Sequence, residues 1–88
     1  MSDPYKKLTE QLELLEWPNV FLFKFIVPNN SEATARVAAL FDEATDLKFR
    51  PSKTGKYISV SAKEMMMDVG SIIEKYKKAS EIEGLMAL

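Results

Sequence analysis

Eight residues, Val20-Phe21-Leu22-Phe23-Lys24-Phe25-Ile26-Val27, constrain the fold more than any other stretch. A β-strand sends alternate side chains to opposite faces. Phe21, Phe23, Phe25 and Val27 therefore share one face, and Val20, Leu22, Lys24 and Ile26 share the other. Both sets are largely apolar, the pattern of a central strand covered on both sides. Whatever surrounds this strand must supply neighbours at both edges and cover above and below.

The flanking segments supply the neighbours. Residues 3–16 carry Tyr5, Leu8, Leu12 and Leu15 at helical spacing, with Asp3 suited to capping and Pro4 to the first turn. Trp17-Pro18-Asn19 ends that helix. After the strand, Pro28-Asn29-Asn30 breaks the chain, and Asn30 or Ser31 caps a helix expected over 31–44 with Val37, Leu40, Phe41 and Ala44 facing the core. Residues 47–50 alternate as a short strand. A turn at 51–56 and a partner strand over 57–63 complete a hairpin. A helical period returns over 66–78, with Val69, Ile72, Ile73, Tyr76 and Ala79 on one stripe. Gly70 inside it implies close packing, and Glu64 and Asp68 flank its start. Residues 84–88 form a last strand.

After the leading helix the order is β-α-β-β-α-β. The expected fold class is α+β: a ferredoxin-like βαββαβ sandwich with an extra N-terminal helix and a four-stranded antiparallel sheet. The division expected is residues 1–18, a helix and connector, then 19–88, the ferredoxin-like domain. Both crossover helices fall on one side of the sheet. The other side holds Leu22, Lys24, Ile26, Lys48, Arg50, Tyr57, Ser59 and Ser61, and by the same reasoning Leu85. The leading helix or a second subunit is the expected cover for its apolar members.

Composition narrows the chemistry. The 88 residues contain no Cys and no His, which excludes disulfides, thiolate nucleophiles, Cys/His zinc sites and the commonest general base near neutrality. Asp42, Glu43 and Asp46 lack the spacing of a calcium loop. No nucleophile, base and orienting group are brought together by pattern, so the expectation is no catalytic residues, no metal and no cofactor. Twelve basic residues against thirteen acidic ones give a net charge of −1, with no global pull toward nucleic acid or membrane. No apolar run reaches the ~20 residues of a membrane helix, and no signal-peptide pattern opens the chain, so the expected location is cytoplasmic.

Charge is nonetheless unevenly distributed. Lys48, Arg50, Lys53 and Lys56 follow one another with no acid between them. With Lys24, Tyr57 and Ser59 they form the candidate contact surface for an anionic metabolite or an acidic patch on a partner protein. The alternative is a solvated hairpin whose basic residues guard an edge strand. Nucleic acid ranks lower. RNA-recognition sheets stack bases on aromatics, but Lys56 stands where the first would be and Leu22 occupies the central strand. Met65-Met66-Met67 reads either as an adaptable contact surface or as packing with at least one Met buried.

The stretch Arg50-Pro51-Ser52-Lys53-Thr54-Gly55-Lys56-Tyr57-Ile58-Ser59-Val60-Ser61 resembles the YbeD-like family of small bacterial proteins of unknown function. So do Leu14-Leu15-Glu16-Trp17-Pro18, Phe21-Leu22-Phe23-Lys24 and the closing Met86-Ala87-Leu88. The resemblance implies a sheet like that of ACT-type regulatory domains. It further implies a non-enzymatic role in sensing a small molecule or pairing with a partner, a second copy of the chain included.

Overall fold

The computed structural model describes residues 3–88. Its elements run α1 (Lys6–Glu13), β1 (Asn19–Pro28), α2 (Ser31–Ala38), β2 (Asp46–Pro51), β3 (Tyr57–Met66), α3 (Val69–Ala79) and β4 (Met86–Ala87). The architecture is α+β: three helices and one four-stranded sheet, ordered β2-β3-β1-β4, in which every pairing is antiparallel. The strand at 19–28 is central, as its composition demands.

Register sets the two faces. Phe23 lies opposite Ala62, and Phe25 opposite Val60 and Ala87. Phe23, Phe25, Val27, Val60 and Ala62 are buried on one side with Val37 of α2, Ile72 and Tyr76 of α3, and Leu12 of α1. Aromatic rings fill the centre of this core: the Phe23 centroid lies 5.5 Å from those of Phe41 and Tyr76. Burial of Tyr76 raises its phenol above the ordinary tyrosine range.

All three helices contribute to that single core, and α1 packs on α3. Of the two covers expected for the far side of the sheet, the leading helix or a second subunit, the first is thereby corrected. Leu12, Leu8, Tyr5 and Trp17 join a core already under construction, where more apolar surface is buried than on a bare sheet face.

The helices are shorter than their apolar stripes. Helix α1 stops at Glu13, where Leu14 and Leu15 switch to tight bonds to Gln11 and Leu12 and the Trp17 indole donates to the Leu12 carbonyl at 2.9 Å. Leu15 is thus half exposed rather than core. Helix α2 stops at Ala38, not Ala44. Leu40 and Phe41 bond back to Val37 and Ala38, then the Asp42 carboxylate accepts from the Ala44 amide. Phe41 stays buried and Ala44 is exposed, and Asp42 and Glu43 lie beyond the helix end.

Strand β3 runs to Met66, paired with Asn19, so Glu64 is a strand residue rather than a helix-flanking one. Asn30 caps α2 by accepting from Ala33 N at 2.7 Å, and Asp68 caps α3 by accepting from Ser71 N at 2.7 Å. Those bonds to its charged form lower the Asp68 pKa. A Cβ at Gly70 would meet only Asp68 Oδ1 at 3.5 Å, so close packing does not require glycine there. Gly84 is different: its φ is +81°, and a Cβ would sit 2.7 Å from Pro28 Cγ. The last strand is accordingly short, β4 beginning only at Met86 after that approach.

Candidate functional site

The side of the sheet away from the helices is uncovered. Cross-strand register lays out its rows. Lys24 and Lys48 both lie opposite Ser61, Ile26 and Arg50 both lie opposite Ser59, and Tyr57 lies opposite Pro28. Met86 lies opposite Ile26, and the Leu88 amide donates to the Lys24 carbonyl at 2.9 Å. Leu22, opposite Lys63, is 57% exposed, Met86 54% and Leu88 66%.

Five of the seven candidate contact residues therefore share this face: Lys24, Lys48, Arg50, Tyr57 and Ser59. Lys53 and Lys56 sit in the turn beyond it, both exposed. Leu85 does not reach the open face. It packs against the core, and Met86 and Leu88 take the place assigned to it. The two ion pairs found among the described residues, Arg36–Glu32 and Lys75–Glu64, use none of the seven.

The face divides lengthwise. On β1 and β4 it is apolar, built from Leu22, Ile26, Met86 and Leu88 around Lys24. On β2 and β3 it is polar and cationic, built from Lys48, Arg50, Lys63, Ser59, Ser61 and Tyr57, with Asp46 as its acid and Met65, opposite Val20, as an apolar end. The hairpin that carries the cationic half is fixed by Asn29, a contribution the sequence did not reveal. The Asn29 side chain donates to the Gly55 carbonyl at 2.8 Å, and its backbone amide donates to the Lys56 carbonyl at 2.9 Å. Gly55, at φ +73°, allows the turn that meets it.

A second polar locus lies on the helix side. Lys75 Nζ donates to the Leu40 carbonyl at 2.6 Å, approaches Glu64 Oε2 at 3.7 Å and stands 4.8 Å from the Phe41 ring centroid. Glu64 Oε2 is buried without a hydrogen bond, so its compensation is the Lys75 charge rather than a shared proton. Two signals in the sequence point to this pair. Glu64 continues the buried alternation of Ile58, Val60 and Ala62, and Lys75 falls beside Tyr76 and one turn after Ile72. Its arrangement ties α3 to the end of α2. A groove of ≈ 610 Å³ beside it is lined in part by Met65, Met66, Asp68 and Lys75, and another of ≈ 560 Å³ by Pro28, Asn30, Arg36 and Gly84. Of the seven candidate residues, none lines either groove.

Among the described residues, no three carboxylates group closely enough to hold a metal ion, and no helix is long and apolar enough to cross a membrane. A family model described as "Protein of unknown function (DUF493)" matches residues 12–88. The chain belongs to the DUF493 family. The DUF493 match opens at Leu12, the buried residue of α1, and takes in the whole sheet with α2 and α3. No curated protein and no solved structure matched this DUF493 chain.

Proposed function

We propose that this DUF493 protein is a non-enzymatic binding module of ferredoxin-like, ACT-like architecture that receives a partner protein on its open sheet face. The YbeD-like hairpin, the strand order β2-β3-β1-β4 and the helices gathered on one side all support the architectural part. One observation carries the functional part: Leu22, Met86 and Leu88 stand more than half exposed beside four cationic side chains on an otherwise regular sheet. A two-layer α/β unit gains by burying such a face against a further layer.

A protein partner is favoured over an anionic metabolite because the candidate cations lie on a sheet surface and in a turn, outside both grooves. Small ligands are held in concave sites that bury most of their surface. Regulation, in this reading, is exerted by occupying or vacating the face.

The test is position-specific photo-crosslinking in cells that contain the protein. A photoreactive residue at Leu22 or Met86 is expected to give a discrete crosslinked polypeptide that disappears on Lys48→Glu with Arg50→Glu. The same residue at Lys77, on the exposed side of α3, is expected to give none. Crosslinks from Lys77 alone, or none from Leu22, would overturn the assignment. So would calorimetric binding of amino acids or phosphorylated metabolites with no crosslink at all, which would move the function to small-molecule sensing.

A further inference from the structure

The lengthwise split of the open face specifies more than the presence of a partner. We infer that its occupant is an amphipathic α-helix whose apolar stripe is bordered along one side by acidic residues. The inference rests on the reading that this face is a docking surface and adds the chemistry of what docks.

The dimensions favour a helix. Strands β1 and β2 are separated by β3 alone, hence by two strand spacings, about 9.6 Å. A helix with its side chains is about 10–12 Å across. Seated along β3 it reaches Leu22 and Ile26 with one flank and Lys48 and Arg50 with the other. Spacing along the strands agrees. Lys48 and Arg50 are two residues apart, about 6.7 Å, and carboxylates at i and i+4 of a helix rise about 6 Å. Leu22 and Ile26 are about 13 Å apart, near the rise of two helical turns, about 11 Å. The helix side of the same sheet already uses this solution, with Val37 of α2 and Ile72 of α3 buried in one core with Phe25 and Val60. A helix on the far side would complete a three-layer sandwich. An added strand would instead need an edge: β4 offers two residues, and β2 offers six that end in Pro51 and would pair by backbone alone, leaving the exposed apolar side chains of β1 and β4 uncovered.

Charge selects an acidic flank. Lys24, Lys48, Arg50 and Lys63 share the face with Asp46 and form no ion pair among the described residues. The whole chain carries −1, so this face is strongly cationic against its own background. The same excess disfavours a second copy face to face, since apposed copies would bring both sets of cations into one interface. It also attracts nucleic acid, but Leu22, Met86 and Leu88 have no counterpart on a phosphate backbone, and Tyr57 is the one aromatic ring on the face.

The probe is a synthetic helical peptide of about 18 residues with Leu along one stripe and Glu along one border of it. Its partner probe has Lys at every Glu position. Binding to the full chain is followed by fluorescence anisotropy and by amide chemical shifts. The acidic peptide is expected to bind at least about tenfold more tightly than the basic one and to weaken as salt is raised. It should shift the amides of Leu22, Ile26 and Ser59, and lose about tenfold in affinity on Lys48→Glu with Arg50→Glu but not on Lys77→Glu. Equal binding of the two peptides, no saturable binding, shifts confined to α2 or α3, tighter binding of a single-stranded oligonucleotide, or a stable dimer protecting this face would each overturn it. If crosslinks from Leu22 persist while the acidic peptide fails, the docking surface stands and the acidic helix falls. If both fail, so does the module.

Discussion

Leu22 and Phe23 are adjacent in the chain and of similar apolar character, yet Phe23 is fully buried and Leu22 is 57% exposed. The sheet gives them the same backbone environment, one opposite Lys63 and the other opposite Ala62. What separates them is the layer above. Phe23 lies under Phe41 and Tyr76, while above Leu22 there is no element of the described chain. Hydrophobicity therefore does different work on the two sides of one strand. On the covered side it builds the domain, and on the open side it meets solvent.

Truncation is the sharpest way to break that contrast. Phe23→Ala is expected to cost about 3–5 kcal/mol, a large share of the stability of a domain this size. Leu22→Ala should cost under about 1 kcal/mol. Urea unfolding of both variants checks the pair, and comparable losses would mean that the open side is covered in solution. Next in size is Lys75, whose charge compensates Glu64. Lys75→Met leaves that carboxylate oxygen buried with no partner and is expected to cost about 2–3 kcal/mol. Adding Glu64→Leu should recover most of the loss, because removing both partners of a desolvated pair leaves no orphan. A double-mutant cycle by denaturation reads the recovery.

The two positive-φ glycines sharpen the comparison at the point where the open face is assembled. Gly84 leads into β4 and faces Pro28, whereas a Cβ at Gly55 meets nothing within 4 Å. Gly55→Ala should show the conformational cost alone, about 1 kcal/mol, and Gly84→Ala about 2 kcal/mol because Pro28 must also move. Thermal melts of the two separate strain from collision.

Acid should loosen the helical layer first. Asp68 has its pKa lowered by the bonds it accepts from Ser71, so it is more acidic folded than unfolded. Its contribution is complete above the unfolded aspartate value of about 4 and is lost as pH falls through the lower folded value. Stability of the wild type measured between about pH 5 and pH 2 should fall more steeply than that of Asp68→Asn, which keeps an acceptor but cannot titrate. Parallel slopes would mean that the cap is not formed in solution.

Much of this was legible in the residues. Alternation within 20–27 and 57–63 assigns the faces correctly, because a strand's period leaves no freedom once one side is apolar. The cap of α2 is narrowed to Asn30 or Ser31, of which the structure uses Asn30, and the placement of Lys24, Lys48, Arg50, Tyr57 and Ser59 follows from the same parity. Helix ends were less legible. The stripe through Phe41 to Ala44 continues past the helix because Phe41 is buried from a turn, which periodicity cannot distinguish from another helical residue. The position of α1 was hidden for a different reason. Its apolar stripe fits either side of the sheet, and the choice is settled by α3, which offers a neighbour where the open side offers none. Ile82 and Leu85 were missed as packing residues because 80–84 carries no repeating pattern.

The smallest expected effect is also the one that most directly separates the two sides. Leu22→Glu places a charge where an apolar group now meets solvent, so folding stability should change by no more than about 0.5 kcal/mol. The same substitution should reduce binding of an environment-sensitive apolar dye and raise solubility, because it interrupts the strip that runs from Leu22 to Met86. At Phe23 an added carboxylate would face the opposite outcome, since the side chain there is fully buried among the rings of Phe25, Phe41 and Tyr76. A variant that folds like the wild type and loses its apolar patch also supplies the control for docking: any partner it fails to hold is held by this face and not by the stability of the domain beneath it.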